Sequence, residues 1–344
     1  MVRIVLTRLF FWICILLCMN STATGQSQRD TLFEEGICDN NGFCIPQIPG
    51  LPRSKGLIIR YEQSNNQIIK SEFSDSSHSG SIDESNLLMM KLRIPILLKD
   101  NLKILIGAEY KEEKYQFDEA SLLGSAAYLS LNQKPLKMLS TSAYVVKPFR
   151  GNSYALGRVK VKLSGDFTRN ELDDYFRSSL SLIYGKRAKS NMSWGVGLNY
   201  NYSFGQQFIF PIVAYSKVIS STWNMDALLP VSIKVRYKIN DGNLLELSNR
   251  LTGDSYNIGF KDLGRNNLFL EKSDLLTELI YEREIHDFFW ASASLGHRYN
   301  MRFNLSDENI FPARTAPLIK SKLTNAMFAS VSLFLVPPRS WAKR

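Results

Sequence analysis

Beyond its first 25 residues the sequence has no long hydrophobic run, and it is poor in two side chains common in metal centres and catalytic sites: three histidines and four cysteines in 344 residues. A transmembrane helix needs about 20 consecutive apolar residues. If the remainder crosses a bilayer it therefore does so as a closed β-barrel, the other structure that satisfies its own backbone in hydrocarbon. Neither a solenoid-type repeat nor a linker announcing a second domain is present.

The first 25 residues read as an export signal. Arg3 and Arg8 supply a positive start, Leu9 to Met19 an apolar run, and Ala23-Thr24-Gly25 a small-residue end suited to signal peptidase. The run is short for an anchor helix, and Leu17 precedes Cys18 where a lipoprotein signal has a small residue. Cleavage leaves Gln26 first and removes Cys14 and Cys18, so Cys38 and Cys44 remain. Export to an oxidising compartment favours a disulfide between them, and Asp39-Asn40-Asn41-Gly42 is turn chemistry that brings the sulfurs together. A metal site is the rival reading, but no further cysteine or histidine lies nearby to complete four ligands. Residues 26–54, with Pro46, Pro49 and Pro52, are either a periplasmic tail or a plug in the barrel, and residues 337–344 are a C-terminal tail.

The formal net charge is +10, of which Arg3 and Arg8 contribute two. Nucleic-acid binders concentrate such charge in a patch or along a helix. Here the cations alternate with apolar residues, which points them into a lumen and argues against a nucleic-acid partner. From Phe289 to Leu305 the odd positions include Phe289, Leu295, Tyr299, Met301 and Phe303, whereas the even ones include Ser292, Ser294, Arg298, Asn300 and Arg302. A two-residue period held this long is a strand signal, and it exceeds the 9–11 or so residues a tilted strand needs to cross a bilayer. Ala227 to Ile239 sets Leu229, Val231, Ile233 and Val235 against Lys234, Arg236 and Lys238. Ala155 to Leu163 opposes Val159 and Val161 to Arg158, Lys160 and Lys162, and Met192 to Phe204 repeats the pattern with Trp194, Leu198 and Tyr200 outward.

Ten further segments read as strands, which predicts an all-β, transmembrane, antiparallel up-and-down β-barrel of 12–14 strands over residues 55–336. Connections 64–87, 113–137, 261–274 and 306–322 read as long loops, the first being serine-rich from Ser74 to Ser85, and they alternate with short turns such as Lys99-Asp100-Asn101. Outer-membrane barrels keep short turns on the periplasmic side and longer loops outside. The two ends of the chain stay in phase only if one more turn is added, and Thr252-Gly253-Asp254 is the place expected for it.

Phe210-Pro211 through Tyr215, Leu229-Pro230, and Tyr237 before Asn240-Asp241-Gly242 carry a resemblance to a porin-like family of outer-membrane β-barrel domains of unknown function common in Bacteroidetes. The likeness covers roughly residues 50–336 and is one of strand pattern and proline placement. It implies a barrel in a bacterial outer membrane, with outer-membrane lipid and the barrel-assembly machinery as partners, and no assigned activity. One departure is the end of the chain: Phe334 is followed by Leu335-Val336-Pro337-Pro338 and a basic tail, so assembly signals would have to use Phe334 internally.

No catalytic constellation or cofactor motif emerges, and the chain does not read as an enzyme. His297 falls on the apolar face between Leu295 and Tyr299, where an outer-membrane lipid hydrolase would need a neighbouring nucleophile. Gly195-Val196-Gly197 lies within a strand without a following helix and is no nucleotide loop. Polarity concentrates in the lumen. Arg158, Lys160, Lys162, Lys234, Arg236, Lys238, Arg298 and Arg302 are expected to line it, with Glu246, Glu278 and Glu282 as acidic counterparts. Basic rings favour anions, so a passive pore or transporter for small, anionic solutes is one reading. A non-conducting structural or surface-interaction barrel, filled by pairs of Glu278 and Glu282 with Arg298 and Arg302, is the other.

Overall fold

The computed structural model describes residues 55–73, 76–118, 131–132, 134–168, 172–202, 205–260, 265–307 and 316–336. The expected leader, the segment 26–54, the Cys38–Cys44 pair and the tail 337–344 lie outside the described residues.

Among the described residues fourteen strands close into one antiparallel ring. In chain order they are β1 (Leu57–Phe73), β2 (Ser76–Lys99), β3 (Leu102–Phe117), β4 (Leu136–Pro148), β5 (Ser153–Gly165), β6 (Phe176–Lys189), β7 (Met192–Asn201), β8 (Phe208–Val218), β9 (Trp223–Leu229), β10 (Ser232–Asn240), β11 (Asn243–Phe260), β12 (Arg265–His286), β13 (Phe289–Ser306) and β14. The last has two segments, Ile319–Leu323 and Ala326–Leu335, and both lie between β13 and β1. Each strand pairs with its successor, and β14 returns to β1, with Leu335 opposite Leu57. Closure leaves no sheet edge at the seam, which a barrel in lipid requires.

Both ends of the wall, Leu57 and Leu335, sit at the end closed by short connections at 100–101, 149–152, 190–191, 219–222, 241–242 and 287–288. We call this the turn end and the opposite one the loop end. Outward positions carry exposed Met90, Leu92, Ile106, Leu139, Val159, Leu182, Val196, Ile209, Leu247, Leu279, Leu295 and Met327, an apolar belt around the ring. In water such a surface would be a liability; against hydrocarbon it is the stable arrangement. Near the turn end Phe149 and Tyr184 lie 6.5 Å apart and Trp223 and Tyr237 4.7 Å apart between centroids, beside exposed Trp194. Amphipathic rings at that height form an interfacial girdle.

The strand number agrees with the upper expectation, but the extra turn sits elsewhere. Residues 227–239 do not form one strand: the chain reverses at Pro230-Val231, with Ser232 opposite Leu228 and Ile233 opposite Ala227. Three residues separate the facing pair Leu228 and Ser232, and an odd number preserves parity, so the alternation runs through the reversal unbroken. Thr252-Gly253-Asp254 is continuous strand, paired with Asp274, Ser273 and Lys272 of β12. The serine-rich stretch is strand from Ser76 on, because β1 and β2 stay paired up to Phe73 and Ser76. Ile69 and Ile82 there are fully buried and anchor the hairpin inward. Likewise β12 begins at Arg265, within the expected loop 261–274.

The wall is uneven. Strands β1–β3 and β11–β13 have 16–24 residues, whereas β4–β10 have 7–14. The β9–β10 hairpin stops at Pro230-Val231, so β8 before Val213 and β11 beyond Leu251 have no wall neighbour on that side. Instead β11 meets the end of β5 across the interior: Asn257 is opposite Gly165, and the Asp166 N–H donates to the Asn257 carbonyl at 3.1 Å.

Candidate functional site: the barrel interior

Strand β3 shows how the interior changes with height. Its inward residues, from the turn end upward, are Lys103, Leu105, Gly107, Glu109, Lys111, Glu113, Tyr115 and Phe117. Charge occupies the lower and middle levels, and aromatic rings the top.

At the loop end, buried Ile69, Ile82, Phe117, Met138, Tyr256, Leu270, Phe303 and Leu305 pack together inside the ring. Tyr115 meets Phe303 edge-on at 5.8 Å. Just below, Lys272 of β12 holds Glu113 of β3 and donates to the Tyr115 hydroxyl at 2.7 Å. Asp254 of β11 takes Lys111 of β3 at 3.0 Å and Lys162 of β5 at 2.6 Å. Strands β5 and β11 are six apart around the ring. Fourteen strands spaced by about 4.8 Å and tilted by about 40° would enclose a circle roughly 28 Å between opposite backbones. A lysine and an aspartate end to end fall well short of that, so the ring is flattened here.

Burying ions is costly unless geometry and hydrogen bonds compensate, and much of the interior meets that condition by giving an acid two cations. Glu62 holds Arg60 at 2.8 Å and also Arg298. Glu278 holds Arg60 at 2.8 Å and Arg250 at 3.2 Å. Glu109 holds Lys160 at 3.0 Å and Lys91 at 3.5 Å. Glu246 holds Arg236 at 2.6 Å and Lys234 at 3.1 Å, and Asp226 reinforces Arg236 at 2.6 Å. Sharing of this kind is the origin of the positive interior.

The predicted residues Arg158, Lys160, Lys162, Lys234, Arg236, Lys238 and Arg298 all face inward, as do Glu246, Glu278 and Glu282. Lys238 pairs with Asp241 at 2.7 Å beside the β10–β11 turn. Glu282 pairs with Lys55, whose ammonium also lies 4.1 Å above the Phe334 ring. That ring is buried against Trp290, centroids 6.1 Å apart. Arg302 departs from the expectation. A bulge sets Asp274 opposite Asn300 and Ser273 opposite Arg302, so Phe303 joins the core and Arg302 takes the opposite face of β13, where it meets buried Glu271 at 3.1 Å beside Gly205 and Gln206. The expected pairing of Glu278 and Glu282 with Arg298 and Arg302 is replaced by Arg60, Arg250 and Lys55, because the inward faces of β1 and β11 lie within reach.

Reading strands one at a time missed Glu113, Asp254 and Lys272, which fell in segments assigned to a loop or turn. Extending the β3 alternation through Glu113, Tyr115 and Phe117 would have found the first. On the outer face His297 lies opposite Thr277 and Met327. The Thr277 hydroxyl accepts from Asn249 at 2.9 Å, and among the described residues no hydrogen bond joins it to His297. Gly197 serves the close approach of β6 and β7, since a Cβ there would collide with the Leu182 carbonyl.

Comparison with known proteins gives three findings. The family described as Domain of unknown function (DUF6268) matches residues 69–334. No curated protein matches the chain in sequence. Among solved structures, an outer membrane channel from Pseudomonas putida F1 is similar with a TM-score of 0.42 at 12% identity, covering 83% of this chain and 97% of that one. The KdgM porin in complex with disordered oligogalacturonate is similar with a TM-score of 0.31 at 8% identity, covering 80% and 98%. The Pseudomonas putida toluene transporter TodX gives 0.34 at 8%, covering 82% and 89%.

Proposed function

From the premise that the chain belongs to the DUF6268 family of unknown function, we propose that it is a bacterial outer-membrane channel for small anionic solutes, shut at its loop end in this conformation. The apolar belt, the aromatic girdle and the placement of both wall ends beside the short turns support the location. Outer-membrane lipid and the barrel-assembly machinery are the partners this location implies. The observation that carries the anion preference is the excess of cations over acids along the interior, with Glu109 and Glu246 each shared between two of them.

The test is the reversal potential in planar bilayers under a salt gradient. It should lie toward the chloride equilibrium potential and move toward zero when Lys234, Arg236 and Lys238 are replaced together by glutamine. An unchanged reversal potential removes those three residues from selectivity. A second reading, a non-conducting structural or surface-interaction barrel, is favoured by the ion pairs Asp254 makes across the interior. Silence of both the unaltered chain and Glu113→Gln across a range of salts and voltages would select it.

A further inference from the structure

Most interior arginines hold a carboxylate: Arg60, Arg236, Arg250 and Arg298 are each within ion-pair distance of one or two. Arg93 of β2 and Arg158 of β5 do not. Instead they flank one ring, Tyr144 of β4, with guanidinium carbons 5.6 Å and 5.0 Å from its centroid. Among the described residues neither makes an ion pair, and the Nε of each is buried without a hydrogen-bond partner. Arg250 and Arg298 share the unpartnered Nε but have a carboxylate, so what distinguishes Arg93 and Arg158 is a buried charge with no acid on it, which an anionic ligand would compensate.

The surroundings have the chemistry to supply one. Lys160 sits on the inward face of β5 one step from Arg158, and Lys91 on β2 one step from Arg93, and these two share Glu109. Four cations therefore surround one acid. Gly107 separates Arg93 from Ser142 across the ladder. A Cβ at Gly107 would lie 2.8 Å from the Ser142 hydroxyl, 3.3 Å from the Leu92 carbonyl and 3.7 Å from Cγ of Arg93, so only a glycine lets Ser142 and the Arg93 stem pack this closely beneath the cluster.

We infer that Arg93, Tyr144 and Arg158 form an oxyanion-binding site that takes the carboxylate or phosphate group of a small solute. The planar guanidinium fork matches either group with two parallel charge-assisted hydrogen bonds, and the Tyr144 ring holds the two forks in place. The site deepens the channel reading and rests on it only for the route by which the ligand arrives.

The experiment uses the full mature chain in detergent micelles, titrated calorimetrically with inorganic phosphate and separately with acetate at constant ionic strength. Saturable binding of one of them identifies the preferred group. Arg93→Gln and Arg158→Gln should each weaken it roughly ten-fold or more, whereas Lys70→Gln, exposed on the outside of β1, should leave it unchanged. Arg158→Lys keeps the charge but loses the fork, and an intermediate loss in this conservative variant separates ligand binding from misfolding. Equal affinity in all variants, or no saturable binding of either anion, overturns the site. Bilayer recordings distinguish the two failures. Binding without conductance sinks the channel and keeps the site, whereas conductance without binding does the reverse.

Discussion

The loop end and the turn end of this barrel face the same difficulty, a ring too wide for single side chains to fill, and meet it in opposite ways. At the loop end the wall flattens, Ile69, Ile82, Tyr115, Tyr256 and Phe303 pack on one another, and Lys272 with Glu113 closes the layer beneath. Toward the turn end, apart from the buried Trp290–Phe334 pair, the ring stays polar: the Lys234 side chain keeps 36% of its exposure and Arg236 25%. The first region is built as a soluble core is built; the second is lined for water and ions. Membership in one ring does not give the two regions one energetic character, so substitutions should sort by height along the wall.

The largest effect is expected at the charged layer under the core. Glu113→Ala leaves buried Lys272 only the more distant Asp274, at 3.5 Å, and also strips Lys111 of one of its two acids, and should cost about 3–5 kcal/mol, read from the midpoint of urea unfolding in micelles. Phe303→Ala opens a cavity against Tyr115 and should cost about 3–5 kcal/mol in the same assay, placed second because neighbouring apolar side chains can relax into the space. Gly197→Ala, where the obstacle is backbone, should cost about 1–3 kcal/mol. A neutral result would mean that β6 and β7 separate more freely than their register implies. The smallest change belongs to Lys234→Gln at the half-open turn end, within about 1 kcal/mol. If it matched Glu113→Ala, the contrast between the two regions would fail.

How much of this was legible in the sequence follows from parity. Alternation in β5, β7 and the lower half of β13 placed Arg158, Lys160, Lys162 and Arg298 inside before any partner was known. It could not see the Pro230-Val231 turn, because Leu228 faces Ser232 across three residues and such a reversal leaves odd residues odd. Nor could it follow local irregularities. Asn66, with φ of 56°, interrupts the β1–β2 ladder while the register on either side stays the same, and Arg302 changes face at the β12–β13 bulge. The serines of β2 carried no strand signal of their own, and only pairing with β1 makes them strand. The site was hidden for a different reason. Which acid serves which cation depends on strands six positions apart around a flattened ring, and single-strand patterns hold no information about the shape of the cross-section.

Solute entry into proteoliposomes tests the central claim, that the interior is shut near the loop end by Glu113, Lys272 and the apolar layer above them. Swelling should be slow in acetate for the unaltered chain and markedly faster for Glu113→Gln, with a neutral sugar of similar size lagging behind acetate in that variant. Equally rapid swelling with and without the substitution would mean that this layer does not close the barrel.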